Sequence, residues 1–154
     1  MSVIAEHLAR VKQQIEEAAR TAGRNPETVK LLAVSKTFPI EDIREAFAAG
    51  QCAFGENRVQ ELETKVPAAL PGIIWHLIGH LQSNKAEKAV ALADCIHSVD
   101  SIKLLNKIDA AAEKNDKIQK ILLEVNVSGE ESKFGISGYD SLREITELAL
   151  SRPH

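Results

Sequence analysis

LLAVSKTFP, residues Leu31–Pro39, is the stretch on which the fold turns. A run of aliphatic side chains reads as a buried strand, yet it closes on Ser35-Lys36, where a core would still be sealing. Lysine is rarely fully buried unless it is paired or put to use. Either the strand surfaces at Lys36, or it carries that lysine to a place where it is needed. Side chains alternate along a strand, so Leu32, Val34 and Lys36 share one face.

The same grammar repeats outward from this stretch. Strand-like runs begin at Val29, Cys52, Ile73, Asp94 and Gln119, a step of roughly twenty-odd residues, which suits one strand, one helix and two short loops. The intervening segments carry apolar residues at helical spacing. Ile4, Leu8, Val11 and Ile15 line a helix predicted over Ser2–Ala22, and Ile40, Ile43 and Phe47 line one opened by Pro39 and closed by Gly50. Val59, Leu62 and Val66 mark a helix over Asn57–Leu70 that Pro67 shortens. Lys85–Leu92 and Ser101–Lys114 follow, the latter capped by Ser101 or Asp100, and Leu142, Ile145 and Leu148 define a last helix before Pro153. Predicted strands are Val29–Lys36, Cys52–Gly55, Ile73–Gly79, Asp94–Val99 and Gln119–Val127. Repeated βα units with continuous apolar runs such as ILLEV imply parallel strands covered by helices. The fold class is α/β, either an open doubly wound sheet or part of a (β/α) barrel. No glycine-rich phosphate fingerprint follows the first strand, which favours the barrel.

Composition narrows the function classes. The 154 residues suit one domain; a formal net charge of −3 offers no basic field for nucleic acid or anionic lipid. Cys52 and Cys95 lack the paired spacing of a zinc or redox motif and are expected as buried, reduced thiols. The N-terminus mixes charges throughout, and no apolar run reaches membrane-spanning length. A cytoplasmic location is expected.

Polar residues gather at the predicted strand ends: Ser35-Lys36, Glu56-Asn57, His76 with Gly79-His80, His97, and Glu124 to Asn126. In α/β folds function sits at those ends. At Lys36 two readings stand side by side. A partly desolvated amine at a barrel mouth loses its proton more readily and attacks an aldehyde or ketone; a strand-end lysine also simply snorkels to water. His76 has a similar pair of readings, general base or satisfied core residue. No carboxylate–histidine spacing of a metal site and no Gly-x-Ser-x-Gly elbow occurs in the sequence.

Taken together, LLAVSKT (31–37), FGENRVQE (54–61), WHLIGHLQSNK (75–85), IHSVDS (96–101) and VNVSGEESKFGI (125–136) closely resemble the YggS/PROSC family of pyridoxal-5′-phosphate (PLP) homeostasis proteins. The resemblance spans nearly the whole chain. It implies a barrel like the N-terminal domain of alanine racemase, with PLP held as an internal aldimine by Lys36. It also implies that Asn57 hydrogen-bonds the ring's phenolic oxygen and that His76 lines the same pocket. The implied role is reversible PLP binding that buffers or delivers the aldehyde, with apo PLP-dependent enzymes as recipients, and not catalysis. The alternative is a PLP-dependent enzyme such as an amino-acid racemase, and a weaker one is a scaffold with no ligand.

Two departures from the family pattern matter. Family chains continue through three more strands, whose Ser/Gly-rich loop and Arg-x-Gly-Thr motif bind the phosphate, whereas this sequence stops at Arg152-Pro153-His154. Residues 1–154 are therefore expected to form a single, incomplete PLP-binding barrel domain of about five βα units, prone to self-association through open strand edges. The second departure is Phe38, where some relatives carry another lysine; Lys133 remains as a member of any accessory PLP-transfer site.

Overall fold

The computed structural model describes residues 2–130 and 132–154. Helix α1 (Val3–Thr21) starts at Ser2, whose hydroxyl accepts from the Ala5 amide at 3.3 Å. The chain then alternates strictly. β1 (Ala33–Val34) leads to α2 (Ile40–Ala48), β2 (Ala53–Glu56) to α3 (Val59–Lys65), and β3 (Ile74–Leu77) to α4 (Ala86–Leu92). β4 (Cys95–Val99), α5 (Ile102–Lys114), β5 (Lys120–Leu123) and α6 (Tyr139–Leu150) complete it. All strand pairs are parallel, and spatial order equals chain order, β1-β2-β3-β4-β5.

Burial decides between the two architectures left open by the sequence. Phe54, Trp75, Leu77 and Ile96 leave the sheet on one side and pack against Ile43 of α2, Leu62 of α3, Val90 of α4, Leu104 of α5 and Ile145 of α6. On the other side Val34, Ile74 and Leu122 remain 49%, 45% and 52% exposed. A doubly wound sheet would bury both faces under helices. Helices on one face alone make this a five-stranded arc of a (β/α) barrel, its inner wall facing a trough of about 940 Å³. Among the described residues no helix is long and apolar enough to cross a membrane.

The element boundaries depart from expectation where side chains compete with the ladder. Only Ala33–Val34 of the predicted strand Val29–Lys36 pair regularly. Below them the buried Gln51 amide donates to the carbonyls of Leu31 (2.9 Å) and Ala53 (2.7 Å), standing in for ladder bonds between β1 and β2. α3 stops at Lys65, and Pro67 sits in a following 3-10 turn, Val66–Ala68, where its missing N–H costs nothing. β5 ends at Leu123, because Glu124 onward turns into a loop that returns through a bridge between Val125 and Ile136. Cys95 is buried as expected, but Cys52 is exposed. It stands one residue before β2, at the rim of the trough where the helical layer does not cover it.

Candidate functional site

The carboxyl end of β1 is held more tightly than its short ladder suggests. Ser35 donates its amide to the Gly55 carbonyl at 2.9 Å and accepts from the Phe38 amide at 3.1 Å, closing a turn around Lys36 and Thr37. The Ser35 hydroxyl donates to Glu56 Oε1 at 2.7 Å, and the Ser35 carbonyl also accepts from Lys65 Nζ at 2.8 Å. Lys65 Nζ lies 2.7 Å from Glu56 Oε1 and 3.7 Å from Glu61 Oε1. Glu61 in turn accepts from the Thr37 amide at 2.7 Å. Thr37 has φ +68°, left-handed backbone that a β-branched residue adopts only under constraint.

Electrostatics follow from burial. Glu56 is fully buried. Loss of water raises its pKa, and the bonds from Lys65 and Ser35 pull the other way. Its Oε2 has no partner among the described residues.

Lys36 presents a different picture. Ser35 points into the helical layer, bonded to Glu56, and Lys36 follows it in the turn beyond the last strand pair. Lys36 is exposed, and among the described residues its ammonium enters none of the hydrogen bonds or ion pairs around it. Lys65, the other nearby lysine, has its ammonium committed to three oxygens.

The parallel pairing of β1 with β2 ends at Val34↔Gly55, and Lys36 and Asn57 each follow two residues beyond that pair, at neighbouring strand ends. Leu32 and Ile78 side chains close over the bare Gly55. Asn57 is half-buried, and its backbone lies against Gly79 so closely that any Cβ there would collide with the Asn57 carbonyl oxygen. Gly79 is thus required for the approach of the two strand ends.

His76 lies deeper, opposite Gly55 on one side and Cys95 on the other. Its Nδ1 is 2.8 Å from His97 Nε2, so one ring donates and the other accepts. The rings meet edge to face. Burial lowers both histidine pKa values and raises that of Cys95. Ligand atoms of His76, Cys95 and His97 lie within 4.8 Å of one another, a donor set suited to a divalent ion of the zinc type. Lys120 bears electrostatically on both His76 and Cys95 and opposes a second cation there. The cluster is best described as a hydrogen-bonded histidine pair beside a thiol. Sequence spacing could not reveal it, because only the β3–β4 register brings residue 76 next to 95 and 97.

The rim above adds two further groups. His80 stacks on Phe134 (centroids 3.7 Å apart, 13° between planes) with Asp100 Oδ2 at 3.5 Å from its Nδ1. Phe134 comes from the loop after β5, which Asn126 organises by donating to the carbonyls of Glu130 and Lys133. The stacking had no sequence signal beyond the presence of an aromatic in a glycine-containing loop.

Residues 7–154 match the family described as alanine racemase, N-terminal domain. The chain is 42% identical over 150 residues to the pyridoxal phosphate homeostasis protein of Aquifex aeolicus, covering 97% of this chain and 65% of that protein. It is similar to the structure of PipY of Synechococcus elongatus with PLP bound, at 44% identity and a TM-score of 0.73, covering 87% of this chain and 63% of that one. Alanine racemase of Streptomyces coelicolor, 18% identical with a TM-score of 0.68 over 93% of this chain and 38% of that one, shares the fold. The chain thus spans a little under two thirds of the length of the Aquifex protein and of PipY.

Proposed function

The chain belongs to the alanine racemase N-terminal domain family, and from that premise we propose that it is a non-catalytic carrier of PLP, attached through Lys36. The observation that supports the reading is an exposed lysine ammonium, without a partner among the described residues, in the turn that follows β1, with Asn57 directly after the neighbouring strand β2. The cofactor supplies an aldehyde that condenses reversibly with a primary amine, with loss of water. Lys36 provides that amine, and the Asn57 amide donates to the ring's phenolic oxygen. His76 forms part of the floor two residues below. The name of the Aquifex relative and the PLP in the PipY structure support this assignment.

A racemase would need opposed groups that take and return a proton at a substrate carbon. His76 and His97 bond to each other, two residues below the lysine, and supply no such opposed pair. Storage and delivery of PLP to apo-enzymes in the cytoplasm is therefore the preferred role, with amino-acid racemisation the competing one. The open edges at β1 and β5 further suggest association of this chain with a second copy.

Absorbance titration with PLP, followed by borohydride reduction and peptide mass analysis, tests the assignment. One added pyridoxyl group on Lys36, lost in Lys36→Ala, is expected, together with transfer to an apo-enzyme and no turnover of amino acids. Labelling of another lysine, or racemisation at enzyme-like rates, would overturn it.

A further inference from the structure

We propose that Lys65, Glu56 and the partly exposed Glu61 form a clamp that aims Lys36, making them positioning residues for attachment of the aldehyde. The inference rests on the assignment of Lys36 above and extends it to residues that never touch the cofactor. The backbone is engaged on both sides of Lys36. On the N-terminal side Ser35 is held by its amide, its hydroxyl and its carbonyl. On the C-terminal side the Thr37 amide is held by Glu61. Both sides converge on one ammonium, that of Lys65, which is 2.7 Å from Glu56 and 3.7 Å from Glu61.

Stability alone is a poor reason for such an arrangement. Burying a lysine and a carboxylate removes both from water, and a well-packed apolar pair of similar size commonly does as well or better. The network also holds Thr37 at φ +68°, a conformation that persists only where its surroundings over-determine it. Strain held beside an exposed amine has a use if the amine's direction matters. A turn free to relax would let the flexible side chain of Lys36 sample many directions, and misplacement by about an ångström costs on the order of 100-fold in a reaction between oriented groups. The groups come from adjacent elements: Ser35 precedes the lysine, Glu56 ends β2, and Glu61 and Lys65 stand one turn apart on α3.

The test separates aiming from folding and from the cofactor assignment. Glu61→Ala removes the acceptor of the Thr37 amide at a partly exposed side chain, and Glu61→Gln keeps an acceptor oxygen there. Lys65→Met removes the shared ammonium, and Leu105→Ala, in the core under α5, serves as a control for lost stability. Two readouts are taken on the full chain: amide hydrogen exchange at residues 35–38, which needs no PLP, and the rate of PLP attachment by absorbance. Glu61→Ala and Lys65→Met should speed exchange at Thr37 and slow attachment by about tenfold, with Glu61→Gln near wild type. Leu105→Ala should melt earlier yet attach PLP at the wild-type rate. Unchanged exchange and attachment in Glu61→Ala, or equal slowing in Leu105→Ala, would overturn the clamp. Should Lys36→Ala take up PLP like the parent chain, the cofactor assignment fails, and the exchange data still decide whether the clamp exists.

Discussion

Gly79 and His97 show how single residues set the inner face. At Gly79 the constraint is steric: a methyl group would strike the Asn57 carbonyl oxygen, and backbone cannot swing aside as a side chain can. Gly79→Ala should cost about 3 kcal/mol, the upper range for forced overpacking, seen as a lower guanidinium midpoint with an altered Asn57 amide environment by NMR. At His97 the constraint is electrostatic. Burial holds His76 and His97 below the ordinary histidine value of 6.5, so the unfolded chain binds more protons as pH falls past that value. Their contribution to stability is complete above pH 6.5 and lost as pH drops toward the folded-state values. Glu56, raised above 4.5 by burial, slopes the opposite way in its own window. The difference between parent and variant isolates the histidines: His97→Gln should flatten the change in melting temperature between about pH 7.5 and 5.5. Lys36 stood out in the sequence because a lysine ending an aliphatic run conflicts with burial, and Asn57 entered only through the resemblance of its FGEN stretch. Lys65, Glu61 and the histidine pair were not, since a lysine and a glutamate four apart on a helix look like ordinary surface charge, and cross-strand neighbours depend on register.

Among the strands, β1 is the one whose extent the sequence overstated most, ahead of β5. An apolar run reports burial and says nothing of which carbonyls a neighbouring side chain will take; here Gln51 takes two. Replacing it by leucine should leave those carbonyls short of partners, cost about 1–3 kcal/mol, and raise amide exchange in β1 and β2 above that of β4. Helices were read more faithfully, for their caps are local. Ser101, named as a candidate cap, accepts from the Leu104 amide at 3.3 Å, and Ser101→Ala should lower stability by about 1 kcal/mol in a denaturant titration. Cys52 illustrates the converse limit, since neighbouring apolar residues do not tell whether a helix covers a strand's first residue.

For the molecule as a whole, the βα repeat implied parallel strands and left a doubly wound sheet and a barrel open, and the one-sided burial of the sheet decides for the barrel arc. Val34 and Leu122 stand open on the two edge strands, and apolar edges invite pairing. Light scattering should show mass rising with protein concentration, and Val34→Lys with Leu122→Lys should suppress that rise; a constant monomer mass in the parent chain would count against association. The plain strand order has another bearing, on biosynthesis. Each strand docks beside the one synthesised just before it, so every closure spans a single helical crossover and waits for nothing downstream. Chains stalled on the ribosome should accordingly gain protection one βα step at a time, the sheet lengthening at a single advancing margin as the polypeptide emerges.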